Sequence, residues 1–197
     1  MGEVLSKGED QLHWETRELA FISLLLKTND SRLPTHVDLS NRKGKSGVDR
    51  LWRNDSEGKK ESKKNLQDIM HSLKRNFSIQ HLDLSSNGID DEGLKIILEQ
   101  LDQRDEFLLE KYNKKNAVAR EKNQFKSINL ANNEFITKTC ADLMKNFLPY
   151  TYFKTIDFSH SGFHVGSKGI LKDAAEKNAN LTLILRGKEA LGSSMRR

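Results

Sequence analysis

One cysteine, Cys140, serves a chain of 197 residues. That excludes an internal disulfide framework and any metal site made of clustered thiolates. A lone thiol fits a reducing compartment, and Cys140 reads as a small buried hydrophobe. Long apolar runs are missing too. The densest, Leu19 to Leu26, is far shorter than the roughly 20 apolar residues that span a bilayer. Met1 to Thr16 is polar and acidic, without the basic start and apolar stretch of an export signal. The expected place of action is therefore cytoplasmic. Catalytic signatures are likewise missing: no HExxH, no glycine-rich phosphate loop and no nucleophile elbow. Gly162, Gly166 and Gly169 read as turn glycines, because no βαβ dinucleotide unit with an acidic partner surrounds them. His160 and His164 lie i, i+4 outside a helix and share no face. The expectation is a protein that is not an enzyme, with no cofactor and no metal.

What the chain does contain is a recurring pattern. Ile79-x-x-Leu82-x-Leu84-x-x-Asn87-x-Ile89 leads to Gly93 and an apolar helix. Phe125-x-x-Ile128-x-Leu130-x-x-Asn133-x-Phe135 repeats it, and Phe153-x-x-Ile156-x-Phe158-x-x-Ser161-x-Phe163 repeats it with serine for asparagine. Pro34-x-x-Val37-x-Leu39 is a weaker upstream copy, with Asn41 one residue early and Arg42 at the asparagine position. Ile128 and Ile156 lie 28 residues apart, one strand plus one helix. Val37 to Leu82 is 45 residues and Leu82 to Ile128 is 46, so two insertions of about 17–18 residues interrupt the array. The motif resembles a leucine-rich repeat of the long, ribonuclease-inhibitor-like kind. The physics fits the residue types. A short strand sends Leu82 and Leu84 to one face and Asp83 to the other. Asparagine at the turn satisfies backbone groups as the chain leaves the sheet, and Gly93 is read as a tight bend before the helix. One unit cannot bury its apolar face alone, so units stack.

Taken in order, residues 9–27 read as one helix, with Leu12, Leu19, Ile22 and Leu26 at helical spacing. Residues 1–32 are then an N-terminal helical cap. Strands are expected at Val37–Leu39, Gln80–Leu84, Ser127–Leu130, Thr155–Phe158 and Leu181–Leu185. Helices are expected at 62–76, from Asp90 to about Tyr112, over Ala141–Leu148, and near 169–177. The fold class is α/β: a short leucine-rich-repeat solenoid over 33–186, with a parallel sheet of four or five strands and helices on the convex side. Insertions fall at 42–64 and 102–124, and 187–197 is a tail.

Charge is localised. Residues 42–64 hold nine bases and four acids, a balance of +5 equal to the formal charge of the whole chain. The bases include Arg42, Lys43, Lys45, Arg50, Arg53, Lys59 and Lys60. Phosphate on nucleic acid or an anionic lipid headgroup is the partner this segment suggests. Trp52 is its one aromatic, so base stacking is poorly supported. Val48, Leu51 and Trp52 offer a way to dock it.

Stacking the units in register predicts three columns on the open sheet face. The first is His36, His81, Ser127, Thr155 and Thr182. The second is Asp38, Asp83, Asn129, Asp157 and Ile184. The third is Ser40, Ser85, Ala131, Ser159 and Arg186. A flat, open face suits contact with a protein better than catalysis, which wants a concave pocket that excludes water. The resemblance implies the same function, a protein–protein interaction scaffold with His36, Asp38, His81, Asp83, Asn129, Asp157 and Arg186 as contact residues. Small Lys- and Asn-rich proteins of this kind are similar to effectors that intracellular bacterial pathogens inject, which would place it in a host cytosol.

Overall fold

A computed structural model describes residues 11–13, 19–28, 33, 35–42, 51–53, 58–112 and 124–187. Their strands form one parallel sheet in chain order: β1 Gln11–His13, β2 His36–Asp38, β3 His81–Asp83, β4 Ser127–Asn129, β5 Thr155–Asp157 and β6 Thr182–Ile184. The helices are α1 Leu19–Thr28, α2 Lys59–Lys74, α3 Asp91–Tyr112, α4 Lys138–Phe147 and α5 Val165–Ala175. Each strand from β2 to β5 turns its middle residue inward and its flanks to the open face: Val37, Leu82, Ile128 and Ile156 are buried, their neighbours half-buried. Successive helices pack on one another behind the sheet. No helix among the described residues is long and apolar enough to cross a membrane.

The first helix is not as the spacing suggested. Gln11–His13 is a strand paired with His36–Asp38, and α1 starts only at Leu19. Leu12 lies seven residues before Leu19, which imitates a helix face, but the polar–apolar–polar triplet Gln11-Leu12-His13 also has the period of a strand. Once β2 offers an unpaired edge, the strand form gains backbone hydrogen bonds. The segment is thus a strand-and-helix unit, and it gives the sheet a sixth strand beyond the four or five expected.

Two polar systems tie the units together. Asn87 donates from Nδ2 to the carbonyls of Leu39 and Leu84, both at 2.9 Å, and its Oδ1 accepts from the Arg42 amide at 2.9 Å. Asn133 repeats this one unit on, donating to Leu84 O at 3.1 Å and Leu130 O at 2.9 Å, and accepting from the amides of Asn87 at 3.1 Å and Ile89 at 3.0 Å. The turn asparagine therefore bonds across units as well as within its own. Arg42, at the asparagine position of its unit, joins through its backbone amide.

The second system lies at the helix C-termini. Asn76 Nδ2 donates to Leu26 O of α1 at 2.8 Å, and Arg104 Nη1 donates to Leu73 O of α2 at 2.6 Å. Asn178 Nδ2 donates to Leu148 O after α4 at 3.1 Å. Each adds a side-chain donor from the next unit to a carbonyl at a helix end. Arg104 is buried, its guanidinium 4.0 Å from the Phe125 ring centroid, and burial pushes its pKa down to about 10.

Both insertions are partly absorbed into regular structure. Leu51 and Trp52 are buried in the core, and α2 begins at Lys59, three residues before the expected start. Residues 102–112 lengthen α3 to 22 residues. Residues 43–50, 54–57 and 113–123 lie outside the described residues. Four glycine and apolar assignments also change. Gly93 stands inside α3, where a Cβ would press on Ile89 and the Trp52 ring, so close packing, not a bend, sets the residue. Gly166 and Gly169 are helical, not turn residues. Phe135 is half exposed, and Ile136, one residue later, takes the buried position. An extra turn residue in that unit shifts the register.

Candidate functional site: the open sheet face

The register places the predicted columns in order, but Ala131 and Ser159 of the third are buried and not open. His36 pairs with His81, Ser127, Thr155 and Thr182 in sequence across the sheet, and Asp38 with Asp83, Asn129, Asp157 and Ile184. The amide of His160 donates to Arg186 O at 2.8 Å, as that of Asn132 does to Ser159 O at 2.8 Å. Arg186 thus ends the third column and is exposed. β1 adds Gln11 and His13 at the heads of the first two columns.

The aspartate column is held by its own backbone. Oδ1 of Asp38, Asp83, Asn129 and Asp157 each accepts the amide two residues on, from Ser40 at 2.9 Å, Ser85 at 2.8 Å, Ala131 at 3.0 Å and Ser159 at 2.7 Å. These Asx turns fix the side chains as the strand ends. The residue after each bonded amide lies in the left-handed region: Asn41, Ser86, Asn132 and His160 have φ of 53°, 57°, 58° and 58°. Asn129 Nδ2 donates to Asp83 Oδ2 at 2.8 Å, so the one amide in the column links its neighbour.

Beside it, the His36 and His81 rings stack at 4.0 Å between centroids, 6° from parallel. His36 Nδ1 lies 2.9 Å from Thr35 Oγ1, and His81 Nδ1 lies 2.8 Å from Ser127 Oγ. Burial, with repulsion from His36 and Lys126, pushes the His81 imidazole below its ordinary value. These groups line a shallow hollow of about 130 Å³ with Asp38, Asp83 and Asn129. No group of three or more potential ligands for a metal occurs among the described residues.

Among the described residues, the bases of the basic segment have different surroundings. Arg42 is buried, which corrects its reading as a phosphate contact. Arg53 is half-buried against Gly58. Lys59 and Lys63 reach Glu92 on α3 at 2.9 and 2.7 Å, and Lys59 also reaches Asp90 at 3.5 Å. The two lysines hold the Glu92 carboxyl down to about 2. Lys60 is exposed, and Lys43, Lys45 and Arg50 lie outside the described residues. Cys140 is buried as expected, its thiol pushed up by burial and by Asp91.

Sequence reasoning missed Arg104, Asn76 and Asn178. Arg104 lay within a charged stretch of nearly balanced sign and read as solvated. The signal available was its place on the Leu101–Leu108 side of the helix, at i+3 from Leu101 and i−4 from Leu108.

The description Leucine Rich repeat matches residues 75–97, the unit from the end of α2 through β3 into α3. A comparison with curated proteins gives no match. Among solved structures, the C-terminal domain of tropomodulin from Caenorhabditis elegans is similar, with a TM-score of 0.55 and 13% identity over 88% of this chain and 84% of that one. Leiomodin-1 actin-binding site 2 is similar with a TM-score of 0.56 and 15% identity, over 87% of this chain and 79% of that one. These likenesses and the stacked strand–helix units define a leucine-rich-repeat fold. The chain shares that fold with both structures, and one of its units carries the repeat match.

Proposed function

We propose that the chain is a non-catalytic protein-recognition scaffold that binds its partner on the open sheet face, through His36, Asp38, His81, Asp83, Asn129, Asp157 and Arg186. The observation that carries this reading is the aspartate column. Its side chains are pre-ordered by Asx turns, so a partner need not order them at the moment of contact. The face is shallow and open, which suits a broad contact and not the enclosure of a small substrate. One similar structure, leiomodin-1 actin-binding site 2, is named for binding actin, so actin is the first protein to test. The narrower reading, an effector acting in a host cytosol, rests on the Lys- and Asn-rich composition, and a translocation reporter fused to the chain tests it.

The test uses the sheet's own tolerance. Asn129 fills the aspartate column without loss of its turn bond. Asp38→Asn, Asp83→Asn and Asp157→Asn together remove three charges and keep every turn. Binding of wild type and triple variant to actin, and to proteins from nuclease-treated eukaryotic lysate at high salt, is compared. A discrete protein retained by wild type and lost by the variant is expected. Equal retention by both rejects the sheet face as the contact surface.

A further inference from the structure

The back layer opens at one junction. Among successive helix pairs, α3 and α4 pack least closely. A cleft of about 380 Å³ lies between them. Lys95, Leu98, Glu99, Asp102 and Asp105 line one wall, a single stripe of α3 at helical spacing. The other wall is uncharged: Leu143, Asn146 and Phe147 of α4, with Tyr150 and Thr151 beyond it. Elsewhere in such an array, neighbouring helices cover one another's apolar residues. Here Leu143 is 39% and Tyr150 82% exposed, at the edge of an apolar floor.

The charge of this cleft opposes that of the chain. Three acids face it with one lysine, whereas the chain as a whole is +5. Lys95 lies 3.9 Å from Glu99 on its own helix. Burial and the nearby Glu106 raise the Asp102 carboxyl above its ordinary value, so an approaching cation would relieve an unfavourable charge there.

We propose that this cleft binds a basic amphipathic helix of a partner protein, which lies between α3 and α4 with Leu or Met side chains on Leu98, Leu143 and Phe147 and a Lys or Arg on Asp102. A helix suits the space because it lays its apolar face into a groove between two others, with anchors at i, i+3 and i+4. This second surface is independent of the open sheet face and lies on the opposite side of the molecule.

The test takes the full chain, labelled with nitrogen-15, and two synthetic helical peptides. The first pairs Leu at i and i+4 with flanking Lys, and the second replaces each Lys by Glu. The Lys peptide is expected to shift amide resonances of residues 95–105 and 143–151, and not those of 36–38 or 81–83. A Glu99→Lys, Asp102→Lys variant is expected to weaken it on the order of tenfold or more. Leu143→Ser, at a partly exposed position, gives a second variant, and circular dichroism checks that both are folded. Equal binding of the Glu peptide, shifts confined to the sheet face, or no shift at millimolar peptide overturns the proposal. A dimer of the chain that Leu143→Ser abolishes would also overturn it, by assigning the cleft to a second copy. The sheet-face variant of Asp38, Asp83 and Asp157 should bind the Lys peptide as wild type does, which separates the failure of one surface from that of the other.

Discussion

Asn87 and Ser161 occupy the same place in two units and meet opposite fates. The amide of Asn87 is wholly buried and serves its own unit and the preceding one with its two polar atoms. Ser161 is too short to repeat this, and its buried hydroxyl has no partner among the described residues. Removing one partner from a satisfied buried set leaves the others stranded, at about 1–3 kcal/mol for each stranded group. Asn87→Ala strands the Arg42 amide and the Leu39 carbonyl, while Leu84 O keeps its bond from Asn133, so a loss of about 2 kcal/mol or more is expected in urea unfolding. Ser161→Ala removes a hydroxyl that is already desolvated, and stability should hold or rise by up to about 1 kcal/mol. Equal losses at the two positions would show that the turn bonds do not join the units. The sequence showed the asparagine at this scale but not its reach, because a bond to the preceding unit depends on stacking that a single unit does not encode. Arg104 was hidden for the same reason: a charge within a charged stretch looks solvated until three elements close around it.

At the scale of elements, alternation and helical spacing were legible wherever one period stood alone. Leu82 and Leu84 fix β3, and Leu66, Ile69, Met70 and Leu73 fix the inner face of α2. Gln11–His13 failed because its apolar residue served two periods at once, and Phe135 failed because one extra turn residue moved the buried position to Ile136. The cleft between α3 and α4 was illegible as well, since the spacing of two helices is set by what packs between them. The insertion after β2 was half legible, through the apolar pair Leu51-Trp52. Trp52 now anchors that segment on α3, where Gly93 leaves room for its ring. Trp52→Ala should therefore cost about 3–5 kcal/mol, as burial of a large aromatic would suggest. Thermal unfolding followed by circular dichroism measures it. A cost below about 1 kcal/mol would mean that the insertion only rests on the core and does not hold it together.

A solenoid is stabilised by its interfaces, so its ends are the weak points of the whole molecule. At the N-terminal end, β1 covers the edge of β2, and α1 buries Leu19, Ile22 and Leu26 against the next unit. Ser23 Oγ lies 2.7 Å from Ser72 Oγ of α2, and Leu26 O accepts from Asn76. Removing residues 1–32 would strip these contacts together. It would strand the Asn76 amide and expose the side of α2 that α1 covers. The effect should exceed that of a point substitution, because an interface between units is lost as a block. In urea unfolding the midpoint should fall, and the slope should fall too if the exposed unit around β2 and α2 is already frayed in the native state. A chain ending at Gly187 is the matched control, and it should unfold as the intact chain does. If both truncations left midpoint and slope unchanged, the N-terminal strand and helix would be an appendage and not the first unit of the array.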